Sequence, residues 1–330
     1  MKNKPLLSIR QLTKYYPASR KGWLHKTAGQ VKAVDGVDLD LYPGETFGLV
    51  GESGCGKSTL GRCILRLEAP TAGGIRFKDQ DVLALEGHAL RALRQNMQMV
   101  FQDPYSSQNP RHTIRHIVGE PLKIHGMGSN AEQEARIQSL IKTVGMQPEH
   151  LDRYPHEFSG GQRQRICIAR ALALNPQLII ADEPVSALDV SIQAQILNLL
   201  VTLQEEFQLT YLFISHDLSV VRHLCDRIGV MYLGKLVEIA PRRELYTAPA
   251  HPYTRALLGA IPTITASRRK RLDPLPGDMP SPLNPPPGCP FHPRCAFKQD
   301  RCTREKPALV PTSDGRSVAC HFPLSEFSAG

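Results

Sequence analysis

The order of hydrophobic and polar residues near the start of the chain predicts short β-strands. Over residues 31–50, apolar residues alternate with polar ones, at Val37, Leu39 and Leu41. This alternation is typical of a strand with one buried face. Pro43–Gly44 then predicts a turn, and the apolar run Phe47–Val50 predicts a second short strand that ends at Gly51.

Two further apolar runs predict buried strands, at Leu178–Asp182 and Thr210–Ser215. The segment between them carries apolar residues at helical spacing, namely Ile192, Ile196, Leu199, Leu200, Leu203 and Phe207. A strand, a helix and a strand in this order favour a right-handed crossover and therefore a parallel sheet. The hydrophobic pattern thus predicts an α/β fold.

Two other stretches depart from this pattern. A polar, helix-forming segment without a comparable strand predicts an inserted helical subdomain at about residues 103–172. Between Pro274 and Pro311 there are 11 prolines in 38 residues, a density that excludes a packed α/β layer and favours extended or irregular backbone. We see no internal repeat. We therefore expect one catalytic domain over residues 1–245 and an extension over residues 246–330.

Composition narrows the class of protein. The 330 residues carry a formal net charge of +9, and 41% are hydrophobic, which suits a globular core. We expect neither a transmembrane segment nor a signal peptide, because no apolar run approaches the roughly 20 residues that span a bilayer. The basic run Arg268–Arg271 suits a solvated linker or contact with lipid headgroups. No basic stripe with interleaved aromatic residues indicates nucleic-acid binding.

The strongest motif follows the strand at Phe47–Val50. The next eight residues match Gly-x-x-x-x-Gly-Lys-Ser, and a predicted helix follows them. Backbone N–H groups in such a loop form a concave anion site at a helix N-terminus. We expect Lys57 to contact the β- and γ-phosphates of a nucleotide and Ser58 to hold Mg²⁺. The predicted nucleotide-binding residues here are Gly51, Glu52, Ser53, Gly54, Cys55, Gly56, Lys57, Ser58 and Thr59.

Polar residues also follow the other predicted strands. Asp182 is placed to hold Mg²⁺ through water, and Glu183 can polarise an attacking water as a general base. An ordinary acidic strand terminus is the alternative for this pair. Gln102 could ligate Mg²⁺ or the water, or simply face solvent. His216 could contact the γ-phosphate, or be a packed or capping residue.

A second anion-binding segment consists of Ser159, Gly160, Gly161 and Gln162, at the start of a helix predicted over residues 162–174. One nucleotide cannot easily use both anion sites of a single chain. The economical arrangement is a dimer in which the second site of each protomer covers the nucleotide of the other. A plain helix N-cap is the alternative.

These motifs, in this order and spacing, resemble those of ATP-binding cassette (ABC) subunits over about residues 6–245. The matching segments are Gly51–Ser58 (Walker A), Gln102 (Q-loop), Phe158–Gln162 (signature), Leu178–Glu183 (Walker B), Ser186–Asp189 (D-loop) and His216 (switch histidine). Phe158 stands where leucine is commoner. The resemblance implies a P-loop NTPase fold of the ABC-cassette type, with an antiparallel β subdomain, a helical subdomain and a Pro/Cys-rich C-terminal extension.

The resemblance also implies roles for individual residues. Catalysis of ATP hydrolysis falls to Lys57, Glu183 and His216, and Mg²⁺ to Ser58, Gln102 and Asp182. Tyr16 would stack on adenine, while Asp189 and the signature residues Ser159, Gly160, Gly161 and Gln162 would complete the nucleotide site.

The end of the chain narrows the resemblance further. The segments His251–Leu258 and Pro280–Cys289 resemble the tails of oligopeptide, dipeptide and nickel importer cassettes, most of all the second ATPase subunit of peptide permeases. The resemblance implies a peripheral subunit on the cytoplasmic face of the inner membrane. Its partners would be itself or a similar ATPase, two transmembrane permease subunits and, indirectly, a peptide-binding protein. A nickel chelate or glutathione as cargo, or a soluble ATPase, remain alternatives.

Four cysteines cluster in the extension, Cys289, Cys295, Cys302 and Cys320. A cytosolic protein is not expected to hold structural disulfides, and the spacing lacks the paired C-x₂₋₄-C knuckles of most zinc sites. Four thiolates could hold an iron–sulfur cluster, and some peptide-importer relatives bind a 4Fe–4S cluster with such a tail. Zinc and free thiols stay open, and His292 and His321 keep mixed ligation open.

Overall fold

The computed structural model describes residues 4–18, 29–261 and 277–324 of the chain. The basic run Arg268–Arg271 lies outside these residues. The chain divides into two compact units, which we call the first unit (residues 1–6, 41–46 and 80–214) and the second unit (residues 7–40, 47–79 and 215–330).

The strands among the described residues are β1 (Leu7–Pro17), β2 (Gln30–Leu41), β3 (Thr46–Val50), β4 (Ala72–Phe77), β5 (Gln80–Asp81), β6 (Met97–Val100), β7 (Leu178–Asp182), β8 (Thr210–Ser215), β9 (Arg227–Tyr232), β10 (Lys235–Pro241), β11 (Val310–Pro311) and β12 (Ser317–Val318). The helices are α1 (Lys57–Ile64), α2 (Gly87–Gln95), α3 (Ile114–Ile124), α4 (Asn130–Thr143), α5 (Gly160–Leu172), α6 (Val190–Phe207), α7 (Leu218–Leu224), α8 (Arg242–Thr247), α9 (Pro252–Gly259) and α10 (Asp300–Arg304). In the described part of the chain, none of these helices combines the length and the apolar character needed to cross a membrane.

The first unit contains a parallel sheet in the strand order β8, β7, β6. Leu178 of β7 lies opposite Thr210 of β8 and Met97 of β6. Every residue of β7 and β8 is buried, which explains why both read as nearly continuous apolar runs in the sequence. The predicted parallel strands joined by a helix, α6, are thereby confirmed.

Helices α3, α4 and α5 of the first unit pack against one another, and α5 also packs against β6 and α6. Their N-termini are capped by side chains: Thr113 accepts a hydrogen bond from the N–H of His116, and Ser129 forms a capping box with Glu132. Residues 103–172, all of which are described, contain these helices and no strand, as their composition predicts. Helix α5 begins at Gly160, two residues before the predicted start.

The second unit contains two sheets. In one, β1 lies between β2 and β4, and β1 runs antiparallel to β4 with Leu7 opposite Phe77. In the other, the order is β11, β12, β10, β9, β3, and β3 is parallel to β9 with Val50 opposite Val230. Gly48 allows α7 to pack closely on β3, because a Cβ there would lie 2.7 Å from Cγ1 of Val221.

The extension joins the second unit through its last strands. Ser317–Val318 (β12) pairs antiparallel with β10, and Val310–Pro311 (β11) pairs with β12. Extended backbone, as predicted, is therefore present at Val310–Pro311, which add an edge strand of two residues to the sheet. Proline tolerates this position because β11 is an edge strand, where a missing N–H costs no ladder hydrogen bond.

Candidate functional site

The phosphate loop, Gly51–Ser58, lies between β3 and α1 in the second unit. Two of its glycines occupy positions that no side chain could share. A Cβ on Gly51 would lie 2.2 Å from the carbonyl oxygen of Met231, and a Cβ on Gly56 would lie 1.9 Å from that of Ala33. Both residues also have positive φ angles, +155° and +110°, which glycine adopts at little cost. The loop therefore requires glycine at these positions for steric reasons.

Lys57 begins α1 and is almost fully buried, at 4% exposed. Its ammonium group donates hydrogen bonds to the carbonyl oxygens of Gly51 at 2.8 Å and Glu52 at 3.1 Å. Ser58 and Thr59 follow in the first turn of the helix, where the helix dipole favours an anion. The loop thus combines an ammonium group, hydroxyl groups and a helix N-terminus, which suits a Mg²⁺-bound polyphosphate.

Tyr16, the predicted adenine-stacking residue, lies near the end of β1 in the same unit. Its hydroxyl group donates a hydrogen bond to the carboxylate of Glu68. The ammonium group of Lys14 lies 4.8 Å from the centre of its ring, a cation–π contact. Both contacts fix the orientation of the ring, and the stacking role stays a prediction.

The predicted catalytic carboxylates lie at the end of β7 in the first unit. Asp182 is the last residue of the strand and is 2% exposed. Glu183 follows it with a φ angle of +46°, a left-handed conformation that costs a non-glycine residue roughly 1–2 kcal/mol. Its N–H donates a hydrogen bond to the carbonyl oxygen of Ile214 at 3.0 Å. Backbone strain of this kind concentrates at active sites.

Gln102, which follows β6, contacts the same carboxylate. Its side-chain amide donates a hydrogen bond from Nε2 to Oε2 of Glu183 at 2.8 Å. Both predicted residues therefore meet within the first unit, although 81 positions separate them in the sequence. An amide beside a carboxylate can orient a water molecule for attack, which supports the functional alternative for Gln102 over a residue that only faces solvent.

The second anion-binding segment forms the N-terminus of α5. The hydroxyl of Ser159 accepts a hydrogen bond from the N–H of Gln162 at 3.4 Å, and the side chain of Gln162 accepts one from the N–H of Ser159 at 3.0 Å. This is a capping box, so the N-cap alternative describes a real contact. A Cβ on Gly161 would lie 2.4 Å from Cγ2 of Ile192, so this glycine lets α5 and α6 pack closely. Ser159 itself is exposed, as contact with a ligand from outside the chain requires.

Three other residues of the family motifs have clear positions. Phe158, which replaces the commoner leucine, is 4% exposed and keeps the apolar character expected of the position. Asp189 is the N-cap residue of α6, and His216 follows β8 in the second unit. The residues Asp189 and His216 are exposed, so their side chains are accessible to a ligand and their assigned roles stay predictions.

The cysteines Cys289, Cys295, Cys302 and Cys320 line one small cavity of the second unit. The remaining walls are formed by His251, Pro252, Phe291, His292, Phe297, His321 and Phe322. Burial, together with the charges of Cys320, Cys302 and Cys295, raises the pKa of Cys289 to about 11. The predicted cluster of thiols is therefore present, and a bound metal would have to displace the protons of these thiols.

The distances between the thiol sulfurs bear on whether a single zinc ion fits this cavity. A tetrahedral zinc ion with Zn–S bonds of about 2.3 Å needs sulfur atoms roughly 3.8 Å apart. Within the described part of the chain, three ligand atoms within 4.8 Å of one another occur only at His112, His116 and Glu120. No three of the cysteine sulfurs are therefore that close. Cys289, Cys295, Cys302 and Cys320 are the residues that would hold a metal group in this cavity, and the choice between zinc and a 4Fe–4S cluster stays a prediction.

Comparison with known proteins identifies the chain. Residues 34–186 match the family model described as ABC transporter, and residues 237–302 match that of the oligopeptide/dipeptide transporter C-terminal region. The oligopeptide transport ATP-binding protein AppF of Bacillus subtilis is 56% identical over 322 residues, which cover 96% of this chain and 97% of that protein. The chain belongs to the ABC transporter family.

Other ABC proteins extend the similarity. The di/tripeptide transport ATP-binding protein DppF of Pseudomonas aeruginosa is 49% identical over 96% of this chain and 97% of its own length. Among solved structures, the dimeric ATP-binding cassette MJ0796 bound to ADP and Pi has a TM-score of 0.63 and 30% identity. That match covers 72% of this chain and 99% of that one. The predicted ABC-cassette fold and ATPase activity are confirmed by these similarities.

Sequence reasoning missed two contacts of the phosphate loop. Arg294 of the extension pairs with Glu52, and the hydroxyl of Tyr253 accepts a hydrogen bond from the N–H of Glu52. Arg294 lies 242 positions from its partner, and nothing in its local sequence marks it. Tyr253 lies in the His251–Leu258 segment that resembles importer tails, which was the one available signal.

Proposed function

We propose that this chain is the ATP-hydrolysing subunit of a membrane ABC importer that takes up dipeptides or oligopeptides. The observation that carries the proposal is the similarity to a peptide-transport ATP-binding protein over 96% of the chain. The match of residues 237–302 to the oligopeptide/dipeptide transporter C-terminal region supports peptide as the cargo. In this role the subunit sits on the cytoplasmic face of the inner membrane.

Other subunits complete such an importer. Two transmembrane permease subunits form the path for the peptide, and a peptide-binding protein delivers it. The ATPase works as a pair, either with a second copy or with a similar ATPase subunit. The dimeric state of MJ0796 supports this arrangement, as does the exposed Ser159 at the N-terminus of α5.

In this proposal hydrolysis proceeds by in-line attack of water on the γ-phosphate, with most of the rate enhancement coming from positioning and charge neutralisation. The ammonium group of Lys57 and the side chain of His216 neutralise charge on the phosphates. Glu183 accepts a proton from the attacking water, which Gln102 helps to orient. Ser58, Gln102 and Asp182 would hold Mg²⁺ through the hard oxygen ligands that it prefers, and the ion would supply neutralisation of the phosphate charge.

Uptake of labelled peptides by cells that lack the chromosomal copy of this subunit tests the proposal. Wild-type protein should restore uptake of labelled di- or oligopeptides, whereas Lys57→Ala should not, because the loop loses its phosphate-binding ammonium group. Labelled nickel chelate and glutathione serve as competing cargoes. Restored uptake of one of these in place of peptides would reassign the cargo.

We also propose that Cys289, Cys295, Cys302 and Cys320 hold a 4Fe–4S cluster that stabilises the extension. The cavity that all four cysteines line supports this proposal. Protein purified without oxygen should contain about four iron and four sulfide ions per chain. Cys302→Ala should lose them, while Cys63→Ala, which changes a buried cysteine outside the cavity, should keep them. Zinc without iron in the wild-type protein would refute the cluster.

A further inference from the structure

Glu52, the second residue of the phosphate loop, forms a bidentate ion pair with Arg294 of the extension. Nη1 donates to Oε2 at 2.7 Å and Nη2 donates to Oε1 at 3.0 Å. The side chain of Arg294 is 5% exposed and that of Glu52 is 29% exposed, so water screens the pair less than it screens surface pairs. The paired carboxylate also raises the pKa of Arg294 above its ordinary value.

Tyr253 of α9 contacts the backbone of Glu52. Its hydroxyl accepts a hydrogen bond from the N–H of Glu52 at 3.0 Å. The ring is fully buried and packs against Tyr232 at 4.7 Å and Phe291 at 5.3 Å between ring centroids. Because Phe291 also lines the cysteine cavity, the phosphate loop and the cavity share one packed aromatic cluster.

The position of Arg294 depends on the backbone that carries the cysteines. Arg294 ends a short 3₁₀-helix, His292–Arg294, and its N–H donates to the carbonyl oxygen of Phe291 at 3.0 Å. Cys295 follows directly, and the N–H of Cys289 donates to the carbonyl oxygen of Cys302 at 2.8 Å. Arg294 thus lies along the chain between Cys289 and Cys295, two of the four cavity cysteines.

Because Glu52 carries a negative charge, its ion pair with Arg294 affects how the loop can bind an anionic ligand. A carboxylate within a loop that binds a polyphosphate repels that ligand unless a cation neutralises it. Lys57 is bonded to carbonyl oxygens of the same loop and has its own role toward the phosphates. Arg294 supplies a cation for Glu52, in an ion pair whose arginine side chain is 5% exposed.

We propose that Arg294 is a positioning residue for ATP binding, which neutralises and orients Glu52 so that the cysteine-bearing extension completes the phosphate loop. The inference rests on the proposed role of that loop in binding ATP. It makes the extension a working part of the nucleotide site.

Arg294→Gln tests this inference in the full chain. The dissociation constant for ATP should rise about tenfold, since Glu52 is left unpaired beside the phosphates, while kcat at saturating ATP should change less than about twofold. Adding Glu52→Gln to Arg294→Gln removes the repelling charge and should restore most of the lost affinity. The matched control is Arg301→Gln, because Arg301 pairs with Glu305 on the same extension at side-chain exposures of 57% and 58%.

The possible outcomes distinguish a failure of the inference about Arg294 from a failure of the proposed function. An unchanged dissociation constant in Arg294→Gln, or a double variant that binds ATP as weakly as the single one, overturns the inference. If Arg294→Gln does not fold, as judged by circular dichroism, Glu52→Gln alone decides. It should bind ATP at least as tightly as wild type, and clearly weaker binding overturns the inference. A wild-type chain that binds no ATP would instead contradict the proposed function.

Discussion

At the scale of single residues, three features of Glu183 suit its proposed role as catalytic base. It follows the buried Asp182, holds a left-handed φ angle of +46°, and accepts a hydrogen bond from Gln102. Each feature restricts where the carboxylate can point. A side chain held in this way needs little reorganisation before it accepts a proton from water, which is the advantage of a preorganised site.

Glu183→Gln should therefore bind ATP as wild type does but hydrolyse it at least about a hundredfold more slowly, because an amide cannot accept the proton. The measurement is phosphate release at saturating ATP, together with the equilibrium affinity for ATP. Glu206→Gln, at an exposed position on α6, is the control and should leave turnover unchanged. Near-normal turnover in Glu183→Gln would remove Glu183 from the role of base.

At the scale of elements, α9 begins at a buried histidine whose charge state affects stability. Nδ1 of His251 accepts a hydrogen bond from the N–H of Tyr253 at 3.0 Å, so His251 caps the helix. Glu238 of β10 accepts hydrogen bonds from the N–H groups of Ala250 and His251, both at 2.9 Å. Burial lowers the pKa of His251 to about 3, so the histidine stays neutral in the folded chain at neutral and mildly acidic pH.

This low pKa predicts a loss of stability in acid. Between about pH 6.5 and the folded pKa of about 3, the unfolded chain binds a proton at His251 that the folded chain does not. The free energy of unfolding should therefore fall as the pH drops below about 6.5, by at most about 1.4 kcal/mol per pH unit. His251→Asn keeps a capping oxygen and cannot titrate, so denaturant unfolding at pH 7 and pH 5 should show a smaller loss.

Two comparisons sharpen this test. Burial raises the pKa of Glu238, an effect of opposite sign, so the difference between wild type and His251→Asn isolates the histidine. His223→Asn changes an exposed histidine of α7 and should match wild type. Equal acid sensitivity in His251→Asn and wild type would show that the pKa of His251 is not lowered in the folded chain.

The sequence predicts elements whose signals are local. The phosphate loop is readable because a strand, glycines and a helix follow one another within 18 residues, Thr46–Cys63, and the start of α5 because its capping pair is three positions apart. The pairs Glu52–Arg294 and Gln102–Glu183 differ, since only the folded chain brings their members together. The family motifs indicated that Gln102 and Glu183 belong to one site, whereas no motif indicated that Arg294 contacts the phosphate loop.

At the scale of the whole chain, the extension is integrated into the second unit. Strand β12 adds to the sheet beside β10, with Val318 opposite Glu238. The same extension supplies Arg294 to the phosphate loop and lines the cysteine cavity. A segment rich in proline with few apolar residues cannot bury much surface on its own, so these attachments supply the stability that it lacks.

Val318→Asp tests whether this attachment supports the nucleotide site. Val318 is 1% exposed and lies opposite Glu238, so an aspartate there buries a carboxylate beside another and should cost roughly 3 kcal/mol or more. Thermal unfolding should begin several degrees lower, and the affinity for ATP should fall as Arg294 loses its support. The control is Val310→Asp on the neighbouring edge strand, where the side chain is 49% exposed and the cost should stay below about 0.5 kcal/mol. A Val318→Asp chain with wild-type stability and ATP affinity would mean that the extension is an appendage, and Arg294 would then have to be held by the aromatic cluster alone.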